Sequence, residues 1–204
     1  MPYPHLDADM LRAMARWPNV PSVFGWLALD RGGRWLLRGV PIKHARILQA
    51  VNANYSRDDR GRWFFQNGPQ RVFVALPGAP WVVHRISEDA MAWRTQTGLP
   101  ITRVTRTWID EDTALYWETE HGLALVSDRD LGSAFELIHD TQERPADFDR
   151  FNHWLDEGVV VEAEESEVFR YRWLDGSVPI GRSTRAYLAA HYGFENEPRD
   201  PGPS

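Results

Sequence analysis

Three runs decide the fold reading: Arg62-Trp-Phe-Phe65, Arg71-Val-Phe-Val-Ala-Leu76 and Trp81-Val-Val-His-Arg-Ile86. Each is short, apolar and rich in β-branched and aromatic residues. They are separated by Asn67-Gly68-Pro69 and Pro77-Gly-Ala-Pro80, residue types that turn a chain rather than extend it. The spacing predicts an antiparallel β-meander.

Working outward, Val23 to Leu29 reads as a strand and Asp30-Arg-Gly-Gly33 as its turn, with Arg34 to Leu37 as the hairpin partner. Residues 43–54 carry Ile47, Leu48 and Val51 at helical spacing, and Asp7 caps a helix expected over 8–16. Ser87 with Glu88 and Asp89 signals a helix ending near Gly98. A second meander is expected from Arg103–Trp108, Leu115–Glu120 and Leu123–Val126. Helices follow near 128–139 and 147–157, strands at 159–161 and 168–174, and a last helix over 182–192. The fold class expected is therefore α+β, antiparallel β-meanders with packed helices. The expected domains are a helix and linker (1–22), a basic unit (23–100), an acidic unit (101–194) and a disordered tail (195–204).

One segment echoes another. Arg34-Trp-Leu36 followed by Val40-Pro-Ile42 recurs at the same spacing as Arg172-Trp-Leu174 followed by Val178-Pro-Ile180. A helical stretch follows each copy, which suggests an internal duplication.

The 204 residues contain no cysteine, so disulfides, thiol catalysis and thiolate–metal sites are excluded. The first residues lack both a basic and an apolar region, so no secretory signal is read, and the expected location is cytoplasmic. Charge is uneven. Residues 31–106 hold twelve Arg and Lys43 against four acids, and residues 107–204 hold eight Arg against twenty-two acids. Either the two parts neutralise one another, or the basic part presents an anion-binding surface. Net acidity and the lack of a basic recognition helix argue against sequence-specific DNA binding.

The order Leu29-Asp-Arg-Gly-Gly-Arg-Trp-Leu-Leu-Arg-Gly-Val-Pro-Ile42, a helix, Asp59-Arg-Gly-Arg-Trp-Phe-Phe65 and Pro77-Gly-Ala-Pro-Trp-Val-Val83 resembles an uncharacterised proteobacterial domain-of-unknown-function family. The resemblance spans roughly residues 25–126. It implies duplicated α+β units, a pleckstrin-homology-like second domain and a nucleotide-like ligand held between domains in signalling. Gly33-Arg34 and Trp81 depart from the family's pattern, and the resemblance attaches no role to any residue.

No nucleophile elbow, phosphate loop, zinc-helix motif or dinucleotide fingerprint is present. The seven histidines lack metal-ligand spacing, so neither a metal nor a cofactor is expected. Glu118 and Glu120, two apart on one strand face with His121 beside them, offer a carboxylate-based enzyme as a minor reading. The leading expectation is a non-enzymatic ligand-binding or signalling module with a small anionic or nucleotide-like ligand. Its contacts would be Trp63, Gln66, Gln70, Arg71, Arg85, Arg103 and Arg106: aromatic stacking for a base, guanidinium forks for phosphate. The alternative is a protein-interaction adaptor with no small ligand, to which the ten tryptophans would contribute an aromatic surface.

Overall fold

The computed structural model describes residues 12, 22–87, 92–157, 164–174 and 176–200. The helix expected over 8–16 and the strand expected over 159–161 lie outside these residues, except for Arg12. The described chain forms two compact units, one running to Pro77 and resuming at Gly193, the other spanning Gly78–Tyr192. The division falls at Pro77–Gly78 and again at Tyr192–Gly193.

Among the described residues the first unit holds a six-stranded sheet and the helix α1 (Ala45–Ala53). Its strands are β1 (Val23–Leu29), β2 (Trp35–Leu37), β3 (Val40–Pro41), β4 (Tyr55–Arg57), β5 (Trp63–Asn67) and β6 (Gln70–Ala75), in the order β3-β2-β1-β6-β5-β4. Aromatic residues make the core. Tyr55 touches Trp35 and Trp63 at ring separations of 5.0 and 4.8 Å, and Phe73 stacks on Phe24 at 4.5 Å. The Trp35 indole N–H donates to Asn52 Oδ1 at 2.7 Å, fixing α1 against the sheet. The chain from Gly193 returns here: Leu76 N donates to Asn196 O at 2.7 Å, and Phe194 is buried.

The second unit holds β7 (Trp81–Arg85), β8 (Trp93–Thr95), β9 (Pro100–Ile101), β10 (Val104–Ile109), β11 (Leu115–Thr119), β12 (Gly122–Val126), β13 (Ile138–Asp140), β14 (Glu164–Trp173) and β15 (Gly176–Arg182). Its helices are α2 (Leu131–Phe135), α3 (Phe148–Asp156) and α4 (Arg185–Tyr192). The sheet order is β13-β14-β15-β10-β11-β12-β7-β8-β9. Trp117 sits at its centre, with Trp93 and Trp173 packed edge-on at 4.7 and 5.1 Å. Such aromatic pairs add about 0.5–1.5 kcal/mol each beyond the area they bury.

The α+β expectation is corrected. The chain is mostly β, with two large mixed sheets and few helices. Nor are the sheets purely antiparallel, because β1–β6, β7–β12 and β10–β15 pair in parallel. Two expected helices are replaced or cut short among the described residues. Trp93–Thr95 is a strand paired with β7, and the stretch near 128–139 gives only the short α2 before β13 begins. In both places cross-strand burial of Trp93, Ile138 and His139 overrides helical spacing. Gly176–Arg182 is also a strand. Pro179 lacks an N–H and reads as a strand breaker, yet it sits between β14 and β10 because its carbonyl still accepts from Thr107 Oγ1 at 3.3 Å.

Both copies of the sequence echo lie on antiparallel hairpins that lead to a helix. Their registers differ: Leu36 opposes Pro41, whereas Arg170 opposes Pro179. The echo therefore does not map pair for pair.

A five-residue loop does recur, four times. In each, an Asp accepts the N–H groups two and four residues ahead on Oδ1, and the fourth residue of the loop has positive φ. The loops start at Asp30, Asp58, Asp110 and Asp140. The positive-φ residues are Gly33, Gly61, Thr113 and Glu143. In three loops the fifth residue is Arg, whose Nε donates to the second carboxylate oxygen at 2.7–2.8 Å (Arg34, Arg62, Arg144). The side chain thus supplies what a tight turn otherwise leaves unmet, satisfying two backbone donors with one oxygen.

Candidate functional site

The Asp110 loop is the exception, and it marks the site. Its fifth residue is Ala114, so Oδ2 has no local guanidinium. That oxygen instead accepts the Tyr116 hydroxyl at 2.8 Å and Arg185 Nη2 at 3.2 Å. Asp112 holds the same guanidinium at 2.5 Å, and Glu111 Oε2 accepts the Arg185 backbone N–H at 2.8 Å. Thr184 Oγ1 accepts from Tyr187 N at 3.0 Å. The start of α4 is therefore capped by Thr184 and Glu111, and acidic residues gather where the helix dipole favours them. Burial pushes the Tyr116 hydroxyl well above its ordinary pKa, and the Asp110 charge pushes it further.

Beside this cluster opens a cavity of about 110 Å³. Ile109 and Leu155 supply its apolar wall; Asp110, Glu111, Asp156, Arg182 and Ser183 supply its polar groups. Arg182 is anchored by its Nη1, which donates to the Trp154 carbonyl, and it lies over the Trp154 ring at 5.1 Å. Sequence reading missed this site because its parts come from three distant segments. Among the described residues no group of three His, Asp or Glu side chains is arranged to hold a metal ion.

The contacts nominated from sequence fall in both units. In the first, Trp63 is buried against Tyr55. Gln66 is also buried and ties its own hairpin, its amide donating to the carbonyls of Gly68 and Gln70 at 2.8 and 3.3 Å. Gln70 and Arg71 are half-buried on β6, and Arg71 lies over Phe64 at 4.9 Å. In the second unit, Arg85 is half-buried, with its backbone N–H on Asp130 Oδ2 at 3.3 Å. Arg103 is exposed. Arg106 pairs with Glu165 at 2.7 Å and lies over Trp108.

Glu118, Glu120 and His121 are each engaged in holding backbone or neighbours. Glu120 accepts Thr102 N and Oγ1, both at 2.7 Å, and Arg103 N at 3.3 Å. Burial alone would raise its carboxyl, but these bonds outweigh burial and hold its pKa below the ordinary value. Glu118 accepts Thr105 Oγ1 and the Tyr192 hydroxyl, and His121 Nε2 stands 3.0 Å from the Pro100 carbonyl oxygen. A general acid needs a raised carboxyl, and Glu120 is displaced the other way.

The fold and the cavity define a two-unit, mostly β protein with a small polar cleft in its second unit. The family model described as "Protein of unknown function (DUF2946)" matches residues 6–199, and the chain belongs to that family. No curated protein matches. Among solved structures, a DUF1285 family protein from Silicibacter pomeroyi DSS-3 is similar in fold, with 15% identity and a TM-score of 0.50, over 82% of this chain and 86% of that one. A second DUF1285 family protein, from Shewanella baltica OS155, is 16% identical over 53% of this chain and 88% of that one, with a TM-score of 0.38. Among the described residues no helix is long and apolar enough to cross a membrane.

Proposed function

We propose that the protein is a cytoplasmic, non-enzymatic binding module whose small polar ligand enters the cavity beside the Asp110 loop. The observation that carries this reading is the lining itself. One guanidinium, several carboxylates and an apolar wall converge on a single cleft, the mixture by which small-molecule sites fix orientation. A cleft of about 110 Å³ suits a compact polar molecule. A nucleotide-like anion is larger, and for it the half-buried Arg71 of the first unit remains a proposed contact.

The test is native mass spectrometry of the purified protein, followed by thermal melting with a panel of small amines, amino acids, phosphate and nucleotides. A ligand at a hundred times its Kd stabilises by about 2.7 kcal/mol, a shift of several degrees. Saturable stabilisation that Asp156→Ala abolishes supports the cavity. Stabilisation unaffected by Asp156→Ala, or none with any compound, removes it.

A second reading, a protein-interaction adaptor, is favoured by Trp26, Leu37 and Val40 of the first unit, which are 47%, 48% and 66% exposed. Large apolar groups left open together mark contact surfaces. Light scattering of the wild type against Trp26→Ser tests whether that surface self-associates.

A further inference from the structure

Strands β13, β14 and β15 lie side by side, and on one face of them a serine meets a histidine. His139 on β13 opposes Arg170 of β14, and Ser177 on β15 opposes Arg172. The buried His139 ring reaches across β14 and brings Nε2 to 3.3 Å from Ser177 Oγ. Its other nitrogen, Nδ1, stands 2.8 Å from the carbonyl oxygen of Asp140. A carbonyl can only accept, so Nδ1 carries the hydrogen. In its neutral form the ring therefore turns its Nε2 lone pair toward Ser177, and the serine hydroxyl donates to it.

The serine's surroundings complete the arrangement. Arg170 Nε lies 3.5 Å from Ser177 Oγ, and its Nη2 donates to the Ser177 carbonyl at 3.4 Å. Ser177 is itself exposed. An accessible hydroxyl, a base oriented by a third group and a cation beside the reacting oxygen are the parts of an activated nucleophile. A structural serine–histidine contact needs neither the exposed hydroxyl nor the guanidinium.

We propose that Ser177 is an activated nucleophile that takes up one acyl group from a small activated ester or thioester. Its Oγ bonds to the acyl carbon while the hydroxyl proton passes to His139 Nε2. The bond from that carbon to the leaving oxygen or sulfur breaks, and the leaving group departs with the proton from the imidazolium. Arg170 offsets the negative charge that develops in between. The product is an O-acyl Ser177, formed once per chain, which needs no turnover and is independent of the cavity.

The experiment treats the full chain with p-nitrophenyl acetate and follows both nitrophenolate release and the acetylated peptide by mass spectrometry. Ser177 of the native protein should acylate at least about 100-fold faster than in the urea-unfolded chain, the lower end of what a positioned base contributes. Ser177→Ala should remove the fast phase. His139→Gln, if its melting curve shows it folded, should slow acylation to the unfolded rate, and Arg170→Gln should slow it about tenfold. Equal rates in native and unfolded chains would overturn the proposal whether or not His139→Gln folds. So would acetylation confined to Lys43 and the amino terminus.

Discussion

Asp110 and Arg185 meet at 3.2 Å on the carboxylate oxygen that also receives the Tyr116 hydroxyl. The Asp110 side chain is fully buried, and Arg185 is about one-third exposed. The same loop beginning at Asp30 closes on Arg34, whose side chain is 70% exposed. The two loops share a backbone geometry, and the two ion pairs differ in solvent exposure. Removing one partner of a buried pair is far costlier than removing one from a surface pair. Asp110→Asn is expected to cost about 3 kcal/mol, reduced somewhat by the exposure of Arg185, and Asp30→Asn less than about 1 kcal/mol. Urea unfolding of both variants checks the contrast, and equal losses would refute it.

Four tyrosines should resist alkali. Burial raises the hydroxyls of Tyr55 and Tyr171 well above the ordinary value, and burial plus the charges of Asp110 and Glu118 does so for Tyr116 and Tyr192. The folded state favours the neutral phenol. Their contribution to stability is therefore complete below the ordinary pKa of about 10 and is lost as pH rises through the folded values. Ultraviolet titration of the native protein should leave these four un-ionised at pH 11 and release them together on unfolding. Gradual ionisation of all six tyrosines near pH 10 would contradict the packing.

Acid acts on different groups. Hydrogen bonds from Arg62 and Arg60 outweigh the burial of Asp58, and the Arg144 side chain leads the effect on Asp140, so both carboxyls lie below their ordinary values. Their stabilisation is present above about pH 4, the unfolded pKa, and is lost as pH falls through the folded ones. His84 is also depressed, by burial first and by Arg129 next. Folding favours its neutral ring, so that contribution is complete above about pH 6.5 and disappears on acidification. The urea midpoint should fall in two steps as pH is lowered, and His84→Gln should erase only the upper one.

The sequence exposed the strands well and the architecture poorly. Alternation and turn residues located β1, β5, β6 and β7 within a residue or two, because local burial sets both signals. The parallel pairings escaped, since β1–β6 and β10–β15 join segments far apart in the chain and leave no local trace. The cavity escaped for the same reason: Ile109, Leu155 and Arg182 are adjacent only after folding. Trp63 and Gln66 looked like ligand contacts because their chemistry suits one, yet both side chains are spent inside their own unit. Composition reports what a residue can do, and burial determines whether it is available to do it.

Gly61 closes the Asp58 loop under a second constraint. Its φ is +80°, and the Gly193 backbone carbonyl occupies the place where a β-carbon would project. Gly68, in the Asn67–Gly68 turn, has φ +57° with open space around it. Alanine at Gly68 meets only the left-handed backbone penalty, about 1 kcal/mol. Alanine at Gly61 meets that penalty and must also displace the Gly193 segment that follows α4, where Glu195 N donates to Gly61 O at 3.2 Å. Overpacking of this kind adds about 1–3 kcal/mol. Gly61→Ala should therefore unfold at markedly lower urea than Gly68→Ala, and amide exchange should quicken at Glu195 and Leu76, whose N–H groups bond across this junction. Equal midpoints, with exchange at those two amides unchanged, would mean that the Gly193 segment yields freely to the added methyl.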